Sequence, residues 1–191
     1  MKYSQVSPNI FKEIVIGAGV LLTQFDISTG EYSMSDIIGP TDGGINFNDA
    51  ISFQDFAEGI DNLPRNTKQL KRIDNTERNI TASGTFKAAN AATVKKLMAA
   101  ADVANDVITP RAELAAADFF DIWIVADYSD VNTGANAGYI AIEMKNVINN
   151  SGFQLQTQNA DKGEFAFEFM AHYDLTDLDT VPYKVYISGN E

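Results

Sequence analysis

Glu143, Glu164, Glu168 and His172 are the residues whose types most readily suggest acid–base chemistry. Glu164 and Glu168 fall on one side of a single strand, four residues apart, which sets their backbones about 13 Å apart. Two-carboxylate mechanisms hold their groups closer, at roughly 5–9.5 Å. A solvated acidic sheet face therefore accounts for the pair better than a catalytic one. There is one histidine, too few for a histidine metal cluster, and no cysteine. The latter excludes disulfides, thiol catalysis and Cys-based zinc sites. No G-x-S-x-G nucleophile motif occurs, so the residues point away from an enzyme and no cofactor is implied.

Two further patterns imitate binding motifs. Gly17-Ala18-Gly19 sits where a dinucleotide loop would begin, but Leu22 replaces the third glycine, and Gln24 to Gly30 reads as strand and turn. Phosphate binding there needs a helix N-terminus, so a strand connection is the better reading. Asp127, Asp130, Asn132 and Gly134, and separately Asp174, Asp177 and Asp179, lack the calcium-loop spacing with its terminal Glu, and read as acidic turns. Arg65, Lys68, Lys71, Arg72 and Arg78 form the one basic cluster. Few aromatics lie nearby, which argues against nucleic-acid stacking and for an acidic partner, including another copy of this acidic chain.

The elements that must position these residues are mostly strands. Val15 to Leu22 is β-prone and, with the residues before it, reads as an N-terminal arm over 1–35. Ser28 to Gly44 is rich in turn residues, long for a loop, and expected to be mobile. Ile45, Phe47, Ile51 and Phe53 alternate with Asn46, Asn48, Ser52 and Gln54, the pattern of a half-buried strand. Asp49 interrupts the apolar side and predicts a bulge or turn. Ile80, Ala82, Gly84 and Phe86 alternate with Thr81, Ser83 and Thr85. Asn90 is a helix N-cap, followed by Val94, Leu97, Met98 and Ala101 on one face and Lys95 and Lys96 on the other. A short second helix is expected around Arg111 to Ala117. Phe120 to Val125 is nearly continuously apolar and predicts a strand covered on both faces. A hairpin loop over Asp127 to Ala137 precedes Ile140, Ile142, Met144 and Ile148, which alternate against Tyr139, Glu143 and Lys145. Phe165, Phe167 and Phe169 oppose Glu164, Glu168 and His172, and Val181 to Ile187 closes as an edge strand. Strands, one helix, then strands predict a mainly antiparallel α+β domain.

The whole chain of 191 residues is sized for one domain. Its apolar fraction of 45% and charged fraction of 21% exclude wholesale disorder. A net charge of −12 disfavours gripping nucleic acid or anionic lipid. The first residues lack a basic region leading into an apolar one, and Ile14 to Leu22 is too short to span a bilayer. This predicts a protein made and kept in the cytoplasm unless a larger assembly carries it out.

Several segments, in order, resemble the major tail (tail tube) proteins of long-tailed bacteriophages: Asp61-Asn62-Leu63-Pro64-Arg65-Asn66, Ile80 to Phe86, Ile108-Thr109-Pro110-Arg111, Phe120 to Ser129, Gly138 to Ile142, and Asp161 to Phe169 with His172-Tyr173. The resemblance covers Gly30 to Tyr173. It implies an Hcp-like single domain over 1–191, mainly β. This would be an antiparallel sandwich or half-barrel with one flanking helix, its strands closing into an oligomeric β-barrel tube. It implies self-assembly into stacked hexameric rings that conduct the genome during ejection. It further implies a virion location after assembly in the host cytoplasm, and as partners other copies, a tape measure protein, a tail terminator and a distal tail protein. Duplex DNA would pass without specific binding, past an acidic wall.

On that expectation Asn46, Asn48, Ser52, Gln54, Thr81, Ser83, Thr85, Glu143, Lys145, Glu164, Glu168 and His172 face the lumen. Gly39, Pro40, Asp42, Arg65, Lys68, Lys71 and Arg72 contact neighbouring subunits, with 28–44 as the inter-ring loop. The alternatives are the tube of a contractile tail, tailocin or secretion-type apparatus, and a monomeric β-sandwich binding module, for example for carbohydrate. The binding module requires an exposed aromatic platform, whereas Trp123, the sole tryptophan, stands in an apolar run.

Overall fold

A computed structural model describes residues 15–128 and 138–188. The expected loop from Asp127 to Ala137, and with it Asp130, Asn132 and Gly134, falls almost wholly outside the described residues, as does the start of the N-terminal arm. In chain order the elements are β1 (Val15–Leu22), β2 (Thr41–Asp55), β3 (Lys71–Phe86), α1 (Ala91–Leu97), β4 (Ala101–Ala104), β5 (Val107–Pro110), β6 (Phe120–Tyr128), β7 (Gly138–Asn149), β8 (Phe165–Met170) and β9 (Tyr183–Ser188). The domain is mostly β with one helix, and every strand pairing is antiparallel.

Strand β7 organises the architecture. One of its edges carries β6, which carries β1. The other edge carries β9 along Tyr139–Met144 and then β8 at Ile148 and Asn149, with β3 and β2 beyond. The switch between partners coincides with Asn146, whose φ of 50° lies in the left-handed region that asparagine tolerates better than most residues. This residue also resets the alternation. Met144 and Val147 are both fully buried in the core, while Ile148 turns to the opposite side and pairs with Met170. Ile148 therefore does not share the Ile140–Ile142–Met144 face.

The two branches fold over one core. Ile122, Ile124, Met144 and Val147 from one branch meet Ile80, Ala82, Phe86, Phe167 and Phe169 from the other, with Leu21 and Leu97. Phe86 and Phe167 stack at 4.4 Å, and Phe167 and Phe169 at 5.2 Å. Gly84 makes the stacking possible, because a Cβ there would stand 2.8 Å from Phe167 Cζ and 3.0 Å from the Gly44 carbonyl oxygen.

The Asn90 side chain caps the helix by accepting from the Thr93 amide at 2.9 Å. Helix α1 spans seven residues, and Ala101 belongs to β4. The helix docks through polar contacts as well as through Leu97. Thr93 Oγ1 donates to the Ile38 carbonyl at 2.5 Å, and buried Asn149 donates to the Leu97 carbonyl at 2.7 Å. The region around Arg111–Ala117 holds only a 3₁₀ turn at Ala116–Asp118, where the Asp118 carboxylate binds Arg111.

Strands β2 and β3 run far beyond the sandwich. Only Thr81–Phe86 of β3 pair with β8, so the remainder is a two-stranded ribbon. Phe47 reaches the core, but a register shift between Ala50 and Ser52 takes the chain past it. Ile51 is 40% exposed and Phe53 56%, so the expected burial of these two residues does not occur.

The sheet is open. The hydrogen-bonded path ends at β1 on one side and β2 on the other, with β1 paired only to β6 along its length and β2 only to β3. Closure into a barrel would need a further ladder between these ends, and none forms among the described residues. This overturns the expectation of an Hcp-like barrel tube. Hexameric rings, self-assembly and a genome conduit rested on that closure and lose their structural basis with it.

Candidate binding site

The outer face of the β1–β6–β7–β9 branch is partly apolar and partly ionic. Register puts Leu22 opposite Trp123, Trp123 opposite Glu143, and Ala141 opposite Tyr186, so all of them share this face. After β1 the chain turns back across the face. Phe25 is buried against Trp123 at 5.8 Å and meets Tyr139 edge-on at 5.0 Å. The Tyr139 hydroxyl donates to the Ile27 carbonyl at 2.5 Å. Trp123 and Tyr186 lie 5.5 Å apart. Ser33 caps a 3₁₀ turn over Met34–Asp36, and Ile37 bridges back to Leu22. Within the segment 28–44, residues 36–38 thus pair with the end of β1, and the chain then runs into β2.

This path borders an open groove of about 660 Å³. Phe25, Trp123 and Tyr186 form its aromatic walls, and Tyr32 stands beside them at 45% exposure. Asp26, Glu31, Asp36 and Glu143 supply four carboxylates, and no lysine or arginine lines it. The Ser28 hydroxyl and amide, donating at 2.6 and 2.8 Å, lower the Asp26 pKa from its ordinary value. Glu143 is 7% exposed and accepts from Tyr186 Oη at 2.9 Å and from Lys145 Nζ at 2.5 Å. Burial, and then the Glu143 carboxylate, push the Tyr186 hydroxyl pKa up. Burial opposes the charge on Lys145, but Asp121 at 2.8 Å and Glu143 outweigh it and hold its pKa above the ordinary lysine value. An adjoining depression of about 650 Å³ shares Phe25, Trp123 and Glu143 and adds Lys96, Phe119 and Phe120.

The residues expected to line a lumen divide into several places. Asn46, Ser83 and Glu168 are in register on the outer face of the other branch, as are Asn48 and Thr81, and Thr85 joins them. Glu164 is tied to Lys87 at 2.6 Å, while Glu168 lies near Asn150, so the two carboxylates answer to different partners. Ser52 and Gln54 sit on the projecting ribbon, both bonded to Asp74. His172 contacts the Asn146 carbonyl at 3.0 Å and the Phe119 ring at 5.3 Å. Glu143 and Lys145 stand with Trp123 on the opposite side of the domain. Among the residues expected at subunit contacts, Gly39, Pro40 and Asp42 lie at the base of the hairpin, where Lys87 bonds to Pro40 and Asp42. Arg65, Lys68, Lys71 and Arg72 lie at its far end. Arg78 is committed to Asp49, the residue that interrupts the β2 alternation.

Gly17 and Gly19 lie in β1 at φ of 92° and 72°, astride a register shift, with no helix following. Asp174 bonds to the Thr176 amide and hydroxyl within an acidic turn. Among the described residues no group of three or more His, Asp or Glu is arranged to hold a metal.

Sequence reasoning missed Phe25, Tyr186 and the orientation of Trp123. A signal for the last existed. Asp121 stands two residues before Trp123, and a charged residue at that spacing marks the wet face of a strand. No protein-family model matches this chain, and no curated protein matches it.

Proposed function

We propose that this protein is a non-catalytic binding module whose outer-face cavity captures an organic cation: an alkylammonium group, or a lysine or arginine side chain. The carrying observation is the lining itself, in which aromatic side chains stand with Asp26, Glu31 and Asp36 and with Glu143, the one carboxylate of the four that a lysine, Lys145, pairs. Aromatic faces attract cations through their quadrupole, by about 0.5–2 kcal/mol per contact, and carboxylates at the rim add long-range attraction. The ring geometry favours a cation over a sugar. Saccharides stack on an open, coplanar platform, whereas Trp123 is tilted by 51° to Phe25 and by 32° to Tyr186.

The sole tryptophan provides the test. Tetramethylammonium chloride should quench or shift Trp123 emission saturably, in roughly the millimolar range expected of a single small cation. Neutral tert-butanol, similar in size, should not. Equal responses to both would remove the cation reading, and a saturable response to N-acetylglucosamine alone would replace it with a saccharide site.

A further inference from the structure

The groove beside Trp123 is one end of a longer feature. It runs on into the adjoining depression, and Gln24, Phe25, Trp123 and Glu143 line both. The depression carries Lys96 with Phe119 and Phe120, and none of Asp26, Glu31 and Asp36 lines it. The feature as a whole is therefore acidic at one end and holds a lysine at the other.

Lys96 lacks a counter-charge. It is half-buried, with Nζ 3.8 Å from the centroid of the Phe120 ring, and among the described residues no carboxylate forms an ion pair with it. Burial, and then the neighbouring Lys95 ammonium, hold its pKa below the ordinary lysine value, and no carboxylate offsets them. The two carboxylates that line the same depression are engaged elsewhere. Asp121 and Glu143 both bind Lys145, and Asp121 also accepts from the Asn146 amide. A partly desolvated ammonium beside a like charge gains from an anion that reaches it, through a charge-assisted hydrogen bond.

Spacing sets the length of a ligand that could use both ends. Phe120 and Trp123 are three residues apart on β6, roughly 10 Å at the rise of a strand. The rings of Phe25 and Trp123 lie along the way and present apolar surface to a chain that spans the distance. We propose that the groove and the depression form one seat for an ω-ammonio carboxylate. Its cation lies beside Trp123 and Tyr186, its aliphatic chain crosses Phe25 and Trp123, and its carboxylate meets Lys96. This rests on the cation reading above and adds to it a second charge and a chain length.

The test uses three probes that share a trimethylammonium group, followed by Trp123 emission of the full chain: 8-(trimethylammonio)octanoate, the corresponding octanamide, and glycine betaine. The octanoate should bind about fivefold more tightly than the octanamide, which keeps the cation and the length but loses the terminal charge. Glycine betaine, whose charges stand too close together to reach both ends, should bind no more tightly than tetramethylammonium. Lys96→Gln should erase the preference for octanoate over octanamide with far-UV circular dichroism unchanged. Tetramethylammonium binding to that variant should stay within about twofold, because charges a Debye length apart are largely screened. Equal affinities for octanoate and octanamide, or a preference that survives Lys96→Gln, overturn the proposal while tetramethylammonium binding leaves the cation reading standing. Glycine betaine binding as tightly as the octanoate overturns it too, because one end alone would then hold both charges. Silence toward tetramethylammonium removes the cation reading, and this inference with it.

Discussion

Glu143 is the residue on which the cavity depends, since it is nearly buried and accepts from both Tyr186 and Lys145. Glu143→Gln keeps the shape and removes the charge, and should weaken tetramethylammonium binding several-fold while the neutral control stays silent, as read from Trp123 emission. Asp49 is a second informative carboxylate. Hydrogen bonding from Arg78, and then from Tyr183, outweighs desolvation and holds its pKa below the ordinary 3.8. The unfolded chain therefore binds more protons than the folded one in the window below about 3.8, and stability rises with pH across it. The contribution is complete above that ordinary value and is lost as pH falls to the depressed folded value. Urea unfolding between pH 2 and 5 should show that slope, and Asp49→Asn should flatten it. Asp49 was visible in the sequence only as a break in alternation. Its partner Arg78 is 29 residues away, and the pairing depends on a register that local pattern does not contain.

At the scale of elements, alternation located β2, β3, β7 and β8, apolar runs located β1 and β6, the short β4–β5 hairpin gave no such signal, and Asn90 located the start of the helix. The sequence pattern failed where the chain changes parity. Asn146 moves Ile148 off the Met144 face, and the shift after Ala50 strands Phe53 in solvent; both are backbone irregularities that period-2 counting passes over. Gly84 illustrates the converse, a residue whose small size is demanded by neighbours distant in sequence. Gly84→Ala should cost about 1–3 kcal/mol, because Phe167 and the Gly44 backbone both crowd the new methyl; chemical denaturation measures it. Asn90→Ala should cost about 1 kcal/mol by removing the cap. The aromatic face was hidden for a related reason: Trp123 reads as one apolar residue in an apolar run until its register opposite Glu143 is known.

Considered whole, the domain combines an acidic body with a projecting ribbon whose residues 50–79 carry five cations and five carboxylates, and its sheet has free ends. Composition made the acidity plain, but openness is a property of which strand ends up beside which, and no local pattern states it. The double membership of β7 has a consequence for how the molecule comes apart. A strand hydrogen-bonded into both branches cannot leave one without exposing the side chains that hold the other, since Met144 and Val147 anchor the shared core. Unfolding should therefore be a single all-or-none event for the body, with calorimetric and van't Hoff enthalpies in agreement. The ribbon beyond Asn79, tied to the body by Arg78, Asp49 and Tyr183, should open by itself far more often. Under tension applied between the hairpin tip and β9, the ribbon would peel away at low force, and β7 would then resist as a clasp that releases everything at once.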